Sequence, residues 1–242
     1  MNRKCGNSNR EEVCQKWPTH GKLSKNINKT LCELKKILNG EEGLVYSYVL
    51  TTVKIDGVRG FVQIGSAPNF QGDLITLCTC KHYMRTWRSP EDWKGVWIAG
   101  FTGINVVGDR KNYLFYLMRV QNAFSSYKEL WDWLNPDVRN AKNASLHKFG
   151  DVYEPITPNL TDVFDPSQYR EPIKNPEHVH LKNNEWHEDI NYKTKKGKHP
   201  ALLVGAPDYS FLWSEPKIYF KDKHPRTTKW ESVKDFIDSL SE

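Results

Sequence analysis

The chain has 242 residues, of which 38% are hydrophobic and 12% aromatic, so it carries enough apolar side chains to bury a sizeable core. Its formal net charge of +6 permits phosphate-bearing partners but does not require them. No run approaches the ~18 apolar residues of a membrane span, the amino terminus lacks the apolar core of a signal peptide, and five cysteines without a CxxC pair make no disulfide framework. These features predict a cytoplasmic protein with no membrane partner.

The first part of the chain predicts an arm and a helix. Residues 1–20 are polar and are expected to form an amino-terminal arm outside a single α+β domain that spans residues 21–242. Leucine and isoleucine recur at helical spacing over residues 21–39, and Asn39-Gly40 supplies a stop signal. This segment therefore predicts a helix that packs on the domain.

Short segments rich in β-branched and aromatic residues follow and predict a sheet, whose core is expected over residues 44–120 and 200–220. The strands before the insertion are expected at residues 44–52, 61–64, 74–80, 96–101 and 113–120. An amphipathic helix is expected over residues 228–241. Residues 136–200 are rich in proline, asparagine and charge, and they predict a long irregular insertion.

This order of elements indicates an α+β fold, with a curved, partly closed mixed sheet, flanking helices and the long insertion. Strands and helices do not alternate as they do in a doubly wound α/β fold. The sequence contains no GxGxxG, GxxxxGK[ST] or HExxH motif, so no cofactor is expected.

The first candidate site is the segment LCTCKHYMRTWRSPEDW, residues 77–93, in which two cysteines precede a run of basic side chains. Cys80 would be a nucleophile if it is exposed, since neighbouring cations lower the pKa of a thiol. Lys81 and Arg85 would bind a phosphate, for which arginine offers bidentate contacts. The alternatives are a metal site, although the CxC spacing is unusual for zinc, and a buried strand with a solvated basic rim.

The second candidate lies in residues 175–192. His178, His180 and His187 are of the residue type that binds zinc or iron, although their spacing matches no standard metal motif. The alternatives are that these side chains anchor a loop, or that Trp186 stacks on a base.

Two further positions carry weaker signals. The run VWIAGFTG contains Gly100 and Thr102 near its end, which predicts either a tight bend in a curved sheet or a backbone cradle for a ligand. Asp151, in the turn GDVY, supplies a single carboxylate.

Several motifs occur in one order along the chain: LVYSYVLTT, APN, LITLCTCKHYMR, GVWIAGFTG, LFYLMRV with FSSYKELWDWL, GDVYEP and PALLVGAPDYSFLW. Over residues 44–220 this order resembles the nucleotide modification associated domain family, second type, which occurs in bacteria and phages in settings linked to modified nucleic-acid bases. The sequence departs from the family pattern at His82, where the family has a proline, and at Lys94-Gly95, where it has an acidic residue.

The motifs of the family pick out one set of positions in this chain: Asn69, Cys80, Lys81, Arg85, Gly100, Thr102 and Asp151. The strand layout also looks like the PUA, EVE and YTH group of small barrels, in which the ends of two strands bound a pocket for a base. The resemblance to that group implies a PUA-like barrel whose pocket is lined by Tyr48, Trp97 and Trp186. A likeness of fold does not by itself fix a function.

Three hypotheses follow. The first is a binding protein that takes a modified base or a nucleotide, as DNA, RNA or free nucleotide, in a strand-end pocket. The second is an enzyme acting on a nucleotide or nucleobase, with Cys80 as nucleophile or Asp151 as base. The third is a protein-protein interaction factor of a phage or bacterial defence locus. The first is the prediction that the residues favour.

Overall fold

The computed structural model describes residues 14–57, 60–173 and 185–242. Within these residues the fold is α+β, with a curled six-stranded sheet that forms half a barrel and eight short α-helices around it. No helix in this part of the chain is long and apolar enough to cross a bilayer.

The elements of the first half of the chain are α1 (Gly21–Ser24), α2 (Leu31–Ile37), β1 (Val45–Leu50), β2 (Val53–Asp56), β3 (Gly60–Gln63), β4 (Thr76–Leu77), α3 (His82–Arg85), α4 (Pro90–Trp93), β5 (Trp97–Thr102) and β6 (Leu114–Phe124). Those of the second half are α5 (Tyr127–Trp133), α6 (Pro136–Lys142), α7 (Glu185–Asn191), β7 (Leu202–Leu212), β8 (Tyr219–Phe220), β9 (Thr227–Trp230), α8 (Val233–Asp238) and β10 (Leu240–Ser241).

The central sheet has the strand order β4-β7-β6-β5-β1-β9. Strands β1 and β5 run parallel, with Tyr48 opposite Gly100, and the other neighbours run antiparallel. Two small ribbons, β2 with β3 and β8 with β10, lie outside this sheet. Because β1 and β5 are parallel neighbours, their carboxyl ends lie at the same edge, and the segments that follow them meet there.

The side chains of the sheet alternate between two buried faces. Tyr46 and Tyr48 of β1 lie on one face, in a core that includes Leu23 of α1. Val45 of β1 and Trp97 of β5 lie on the other face, in a core that includes apolar side chains of α2 and α8. All six residues of β5 are buried, because both faces of this strand are covered.

The helix predicted over residues 21–39 is interrupted. The structure has α1 and α2, separated by a segment in which Asn28 adopts a φ of 58°, and Thr30 begins α2 with a capping box. The predicted arm is also docked from Gln15 onward, since the amide of that side chain donates to the Gly65 carbonyl at 2.8 Å.

Two other predicted boundaries are wrong. The strand predicted over residues 74–80 is only two residues long, and the basic side chains after it belong to a turn and to α3. The helix predicted over residues 228–241 is divided among β9, α8 and β10. The predicted insertion contains α6 and α7, but residues 143–173 form no α-helix and no strand.

Candidate functional site

A groove of about 760 Å³ opens at the edge of the sheet where β1 and β5 end. Its walls come from β2, from the loop after β5 and from the segment between β8 and β9. The described residues that line it are Val49, Lys54, Ile55, Gly103, Ile104, Asn105, Val106, Asn112, Lys223, His224 and Arg226. We call this concavity the strand-end groove. The residues predicted as ligands are not among those that line it.

The walls of the strand-end groove are basic. Lys54, Lys223 and Arg226 are exposed, and none of the described lining residues is acidic. None of these three side chains makes a hydrogen bond or an ion pair with another described residue. Because a concave surface concentrates the field of like charges, three unpaired cations in one groove attract an anion more strongly than they would on a flat surface.

The floor of the strand-end groove is apolar. It is formed by the half-buried side chains of Val49, Ile55, Ile104 and Val106. Aliphatic surface of this kind packs against the uncharged part of a ligand, while a few polar groups fix the ligand's orientation. The groove therefore suits a molecule with both an anionic and an apolar part.

His224 is a buried residue of the groove lining. Its Nε2 lies 2.8 Å from the Ser47 Oγ, which also accepts a hydrogen bond from Trp230 Nε1 at 2.8 Å, and its Nδ1 contacts the Pro225 carbonyl. All of these groups are satisfied when Ser47 donates to Nε2 and Nδ1 donates to the carbonyl. Burial lowers the pKa of His224 to about 4, so the ring is neutral at pH 7 and adds no charge to the groove.

Lys81 lies at the margin of the strand-end groove. It has a φ of 57° in the turn before α3, and its ammonium lies 4.7 Å from the centre of the Tyr48 ring. Burial lowers the pKa of Lys81, and the charge of Arg226 lowers it further because the two cations lie close together. The predicted phosphate ligand is therefore beside the groove rather than in its lining.

Arg85 is not on an exposed basic rim, and that part of the prediction is wrong. Its side chain is completely buried, and the guanidinium donates to the carbonyls of Cys78, Cys80 and Ala201 at 2.5, 2.7 and 2.6 Å. These carbonyls come from the end of β4 and the approach to β7, and a long planar side chain with five donors can reach all three. Arg85 thus fixes the turn that carries Lys81.

Tyr48, Trp97 and Trp186 are not brought together. Tyr48 and Trp97 are both completely buried, but Tyr48 pairs with Tyr116 on one face of the sheet, with 2.9 Å between the hydroxyls. Trp97 lies on the other face of the sheet. Trp186 packs on Tyr153, with ring centres 5.7 Å apart. Tyr48 and Trp97 are buried in two separate cores and Trp186 packs, half-buried, against a third, which explains why the three rings do not form one base pocket.

Gly100 and Thr102 shape the sheet. A Cβ at Gly100 would lie 2.3 Å from the Tyr116 ring, so that ring occupies the space beside the glycine. The pairing of β5 with β6 shifts register directly after Gly100. Thr102 is buried, and its Oγ1 accepts a hydrogen bond from the Tyr113 amide at 3.0 Å. Of the two sequence interpretations, these contacts favour the bend.

Asn69 and Asp151 belong to a buried polar cluster that we call the Lys142 cluster. The Lys142 ammonium donates to Asn69 Oδ1, the Leu74 carbonyl and Thr76 Oγ1 at 2.9, 2.8 and 2.9 Å. The Thr76 hydroxyl in turn donates to Asp151 Oδ2 at 2.7 Å. Sequence reasoning missed Lys142, because a lysine at the end of a short polar helix has the pattern of a solvated residue.

Burial dominates the electrostatics of the Lys142 cluster. It lowers the pKa of Lys142 to about 8 and raises the pKa of Asp151 to about 6, and the charge of each group opposes the shift of the other. Neither side chain lines the strand-end groove. Asp151 is therefore not placed to act as a base on a ligand bound there.

Cys80 is not an activated thiol. The prediction required neighbouring cations to lower its pKa, but burial raises it, and the opposing effects of Lys81 and Arg85 do not outweigh burial. Cys78, two residues earlier, is completely buried.

The described part of the chain contains no group of three or more side chains that could hold a metal ion. His178 and His180 lie outside the described residues, so the metal hypothesis for them stays a prediction. His187 packs beside Trp186, with ring centres 4.3 Å apart, and the Oδ1 of Asp189, two residues later, lies 2.8 Å from the Nε2 of His82.

No protein-family model matches the chain, and neither the curated proteins nor the solved structures give a significant match. The resemblance to the nucleotide modification associated domain family and to PUA-like barrels therefore stays a prediction. The function has to be argued from the geometry and charge of the strand-end groove.

Proposed function

We propose that the protein binds a base-bearing phosphate ligand, either a nucleotide or a nucleotide unit of DNA or RNA, in the strand-end groove. The observation that carries the proposal is one concavity with three unpaired cations, an apolar floor and no acidic residue among its described lining. Lysine and arginine bind phosphate through charge-assisted hydrogen bonds, and a base packs on apolar side chains.

The sequence resemblance supports the same class of ligand. By this resemblance, the protein would take part in base modification or defence in bacteria or phages. It would act in the cytoplasm and have a PUA-like fold. In barrels of that group the base pocket lies at strand ends, and the groove in this chain also lies at the ends of two strands.

Binding, rather than catalysis, is the function that this groove favours. None of the lining residues in the described ranges is a cysteine, a serine or a carboxylate, and both ring nitrogens of His224 are occupied. The enzyme hypothesis depended on Cys80 and Asp151, and neither of them lines the groove. A binding protein needs no side chain whose pKa is tuned for proton transfer.

The proposal is tested by titrating the purified protein with nucleoside monophosphates and with short DNA and RNA oligonucleotides at low ionic strength. Arg226→Ala is expected to weaken binding roughly 10- to 100-fold, since a hydrogen bond to a charged group contributes ~1.5–3 kcal/mol. The matched control is Arg170→Ala, which removes an exposed arginine from outside the groove and should leave the affinity unchanged. If no nucleotide binds, or if Arg226→Ala binds as well as the unaltered protein, the proposal is wrong and a protein partner takes its place.

A further inference from the structure

Two aromatic side chains in and just after α3 are exposed to solvent. Tyr83 of α3 is 65% exposed and Trp87, just after α3, is 43% exposed, and their ring centres lie 6.0 Å apart. Neighbouring exposed aromatic rings form an apolar patch of the kind that marks a binding surface. Neither residue lines the strand-end groove.

The groove is connected to this aromatic pair by Lys81. The Arg226 carbonyl accepts a hydrogen bond from the Val49 amide at 3.3 Å, which places Arg226 at the end of β1. The residue after Arg226, Thr227, pairs with Tyr48 of β1, and the Lys81 ammonium lies 4.7 Å from the centre of the Tyr48 ring. Positive charge therefore continues from the groove to Lys81, on the face of β1 that carries Tyr48.

Trp87, one member of the aromatic pair, packs against Tyr46, the next residue of β1 on the same face as Tyr48. Tyr46 precedes Tyr48 by two residues, a distance of about 6.6 Å along a strand. The ring of Tyr46 is 5.7 Å from that of Trp87, and its hydroxyl accepts a hydrogen bond from Arg88 Nε at 3.2 Å. Lys81 thus lies over Tyr48 and Trp87 over Tyr46, two tyrosines on the same face of β1. Arg88 adds a further cation beside Tyr46.

We infer that the strand-end groove, Lys81 and the pair Tyr83 and Trp87 form one continuous track for single-stranded nucleic acid. This inference rests on the proposed function and extends it from a single nucleotide to a strand. Cations follow the backbone of a single strand, while successive bases stack on exposed aromatic rings whatever their identity. A duplex keeps its base faces stacked inside the helix and offers nothing to these rings, and a mononucleotide in the groove does not reach them.

The experiment compares thymidine monophosphate with an oligothymidylate of about ten nucleotides, within the range of known single-strand sites. The oligonucleotide is expected to bind more tightly than the mononucleotide and more tightly than a duplex of the same length. Trp87→Ala should weaken oligonucleotide binding roughly 5- to 100-fold, the loss typical of one stacked base. The same change should leave binding of the mononucleotide unaltered.

Two further variants make the result decisive. Tyr83→Ala removes a ring that is mostly in solvent, so the fold should persist and oligonucleotide binding should still fall. Trp133→Ala removes a tryptophan of α5 that is 45% exposed and packs on Phe124. This control should leave the affinities for the oligonucleotide and for the mononucleotide unchanged. If Trp87→Ala and Tyr83→Ala bind the oligonucleotide normally while Arg226→Ala weakens both ligands, the track is wrong and the proposed function stands. If neither ligand binds, both fail.

Discussion

The molecule holds positive charge in two contrasting regions. In the Lys142 cluster, the ammonium is buried and donates to protein oxygens, so its donors are already used by the fold. In the strand-end groove, Lys54, Lys223 and Arg226 are exposed and have no hydrogen bond or ion pair to the described residues. A cation whose donors are satisfied inside the protein stabilises the structure, whereas an unpaired cation in a concavity is available to a ligand.

This contrast has a measurable consequence. Changes in the Lys142 cluster should alter the free energy of unfolding and leave ligand affinity intact. Changes at the three exposed cations of the strand-end groove should do the reverse.

The largest effect is expected for Lys142→Met, which should lower the free energy of unfolding by about 3–5 kcal/mol, as for other buried pairs that lose one partner. The change leaves the Asp151 carboxylate buried without its counter-charge, and it removes the donor to Asn69 and Leu74. Urea denaturation at pH 7 measures this. The double variant Lys142→Met with Asp151→Asn should regain part of the loss, and a double variant as unstable as the sum of both single changes would show that the two groups are not coupled.

His224 should make the protein lose stability in acid. Its pKa is about 4 when folded and 6.5 in the ordinary state, so the unfolded chain takes up the proton first as the pH falls. The stability that this neutral ring contributes is complete above pH 6.5 and is lost between pH 6.5 and 4, by up to ~3 kcal/mol at 1.36 kcal/mol per pKa unit. His224→Gln, which does not titrate, should flatten the dependence of the unfolding free energy on pH in this window.

Asp151 should have the opposite effect on the unfolding free energy, over nearly the same pH range as His224. Its pKa is about 6 when folded and 3.8 in the ordinary state, so the folded protein takes up this proton first and gains stability as the pH falls from 6 towards 4. Asp151→Asn should therefore make the acid loss steeper than in the unaltered protein. If the plot of unfolding free energy against pH only shifts, with the same slope between pH 6 and 4, then Asp151 does not titrate in this range in the folded protein.

Arg85→Lys should have an intermediate effect, lowering the free energy of unfolding by about 1–3 kcal/mol. Lysine keeps the charge but cannot reach the carbonyls of Cys78, Cys80 and Ala201 together. Thermal denaturation measures the loss. The folded variant should bind the nucleotide as tightly as the unaltered protein does. If the variant instead loses nucleotide affinity while its stability is unchanged, Arg85 is a phosphate ligand.

The smallest effect on stability is expected for Lys223→Ala, which should change the free energy of unfolding by no more than about 0.5 kcal/mol, as for most exposed substitutions. Nucleotide binding should nevertheless weaken, since the change removes one of the three cations of the groove. A clear decrease in the free energy of unfolding would mean that the Lys223 side chain interacts with another part of the protein and is not free to bind a ligand.

The sequence predicted the fold class because strand composition and turn signals are local. It also predicted a base pocket lined by Tyr48, Trp97 and Trp186, three rings that the structure does not bring together. Tyr48 and Trp97 are large aromatic side chains, which suit a base pocket and a protein core equally well, and only the pairing of β1 with β5 shows that they lie on opposite faces. The single predicted helix over residues 21–39 failed because Asn28 turns the chain.

The groove itself was not visible in the sequence. Lys54 is far along the chain from His224 and Arg226, and it meets them only because β1, which precedes Lys54, pairs with both β5 and β9. For Arg85 and Lys142, the sequence instead failed to indicate that the side chains are buried. Each lies in a polar segment that resembles a solvated surface, and each is buried by long-range contacts that no local pattern reports.

The most direct test of the account is the salt dependence of oligonucleotide binding by a triple variant, Lys54→Ala, Lys223→Ala and Arg226→Ala. A plot of the logarithm of the binding constant against the logarithm of salt concentration has a slope of about −0.7 for each phosphate that a single-strand binder neutralises. The account predicts a linear plot for the unaltered protein and a slope smaller in magnitude by about 2 for the triple variant. Equal slopes for the two proteins would contradict it, because the three cations of the groove would then not contact the ligand.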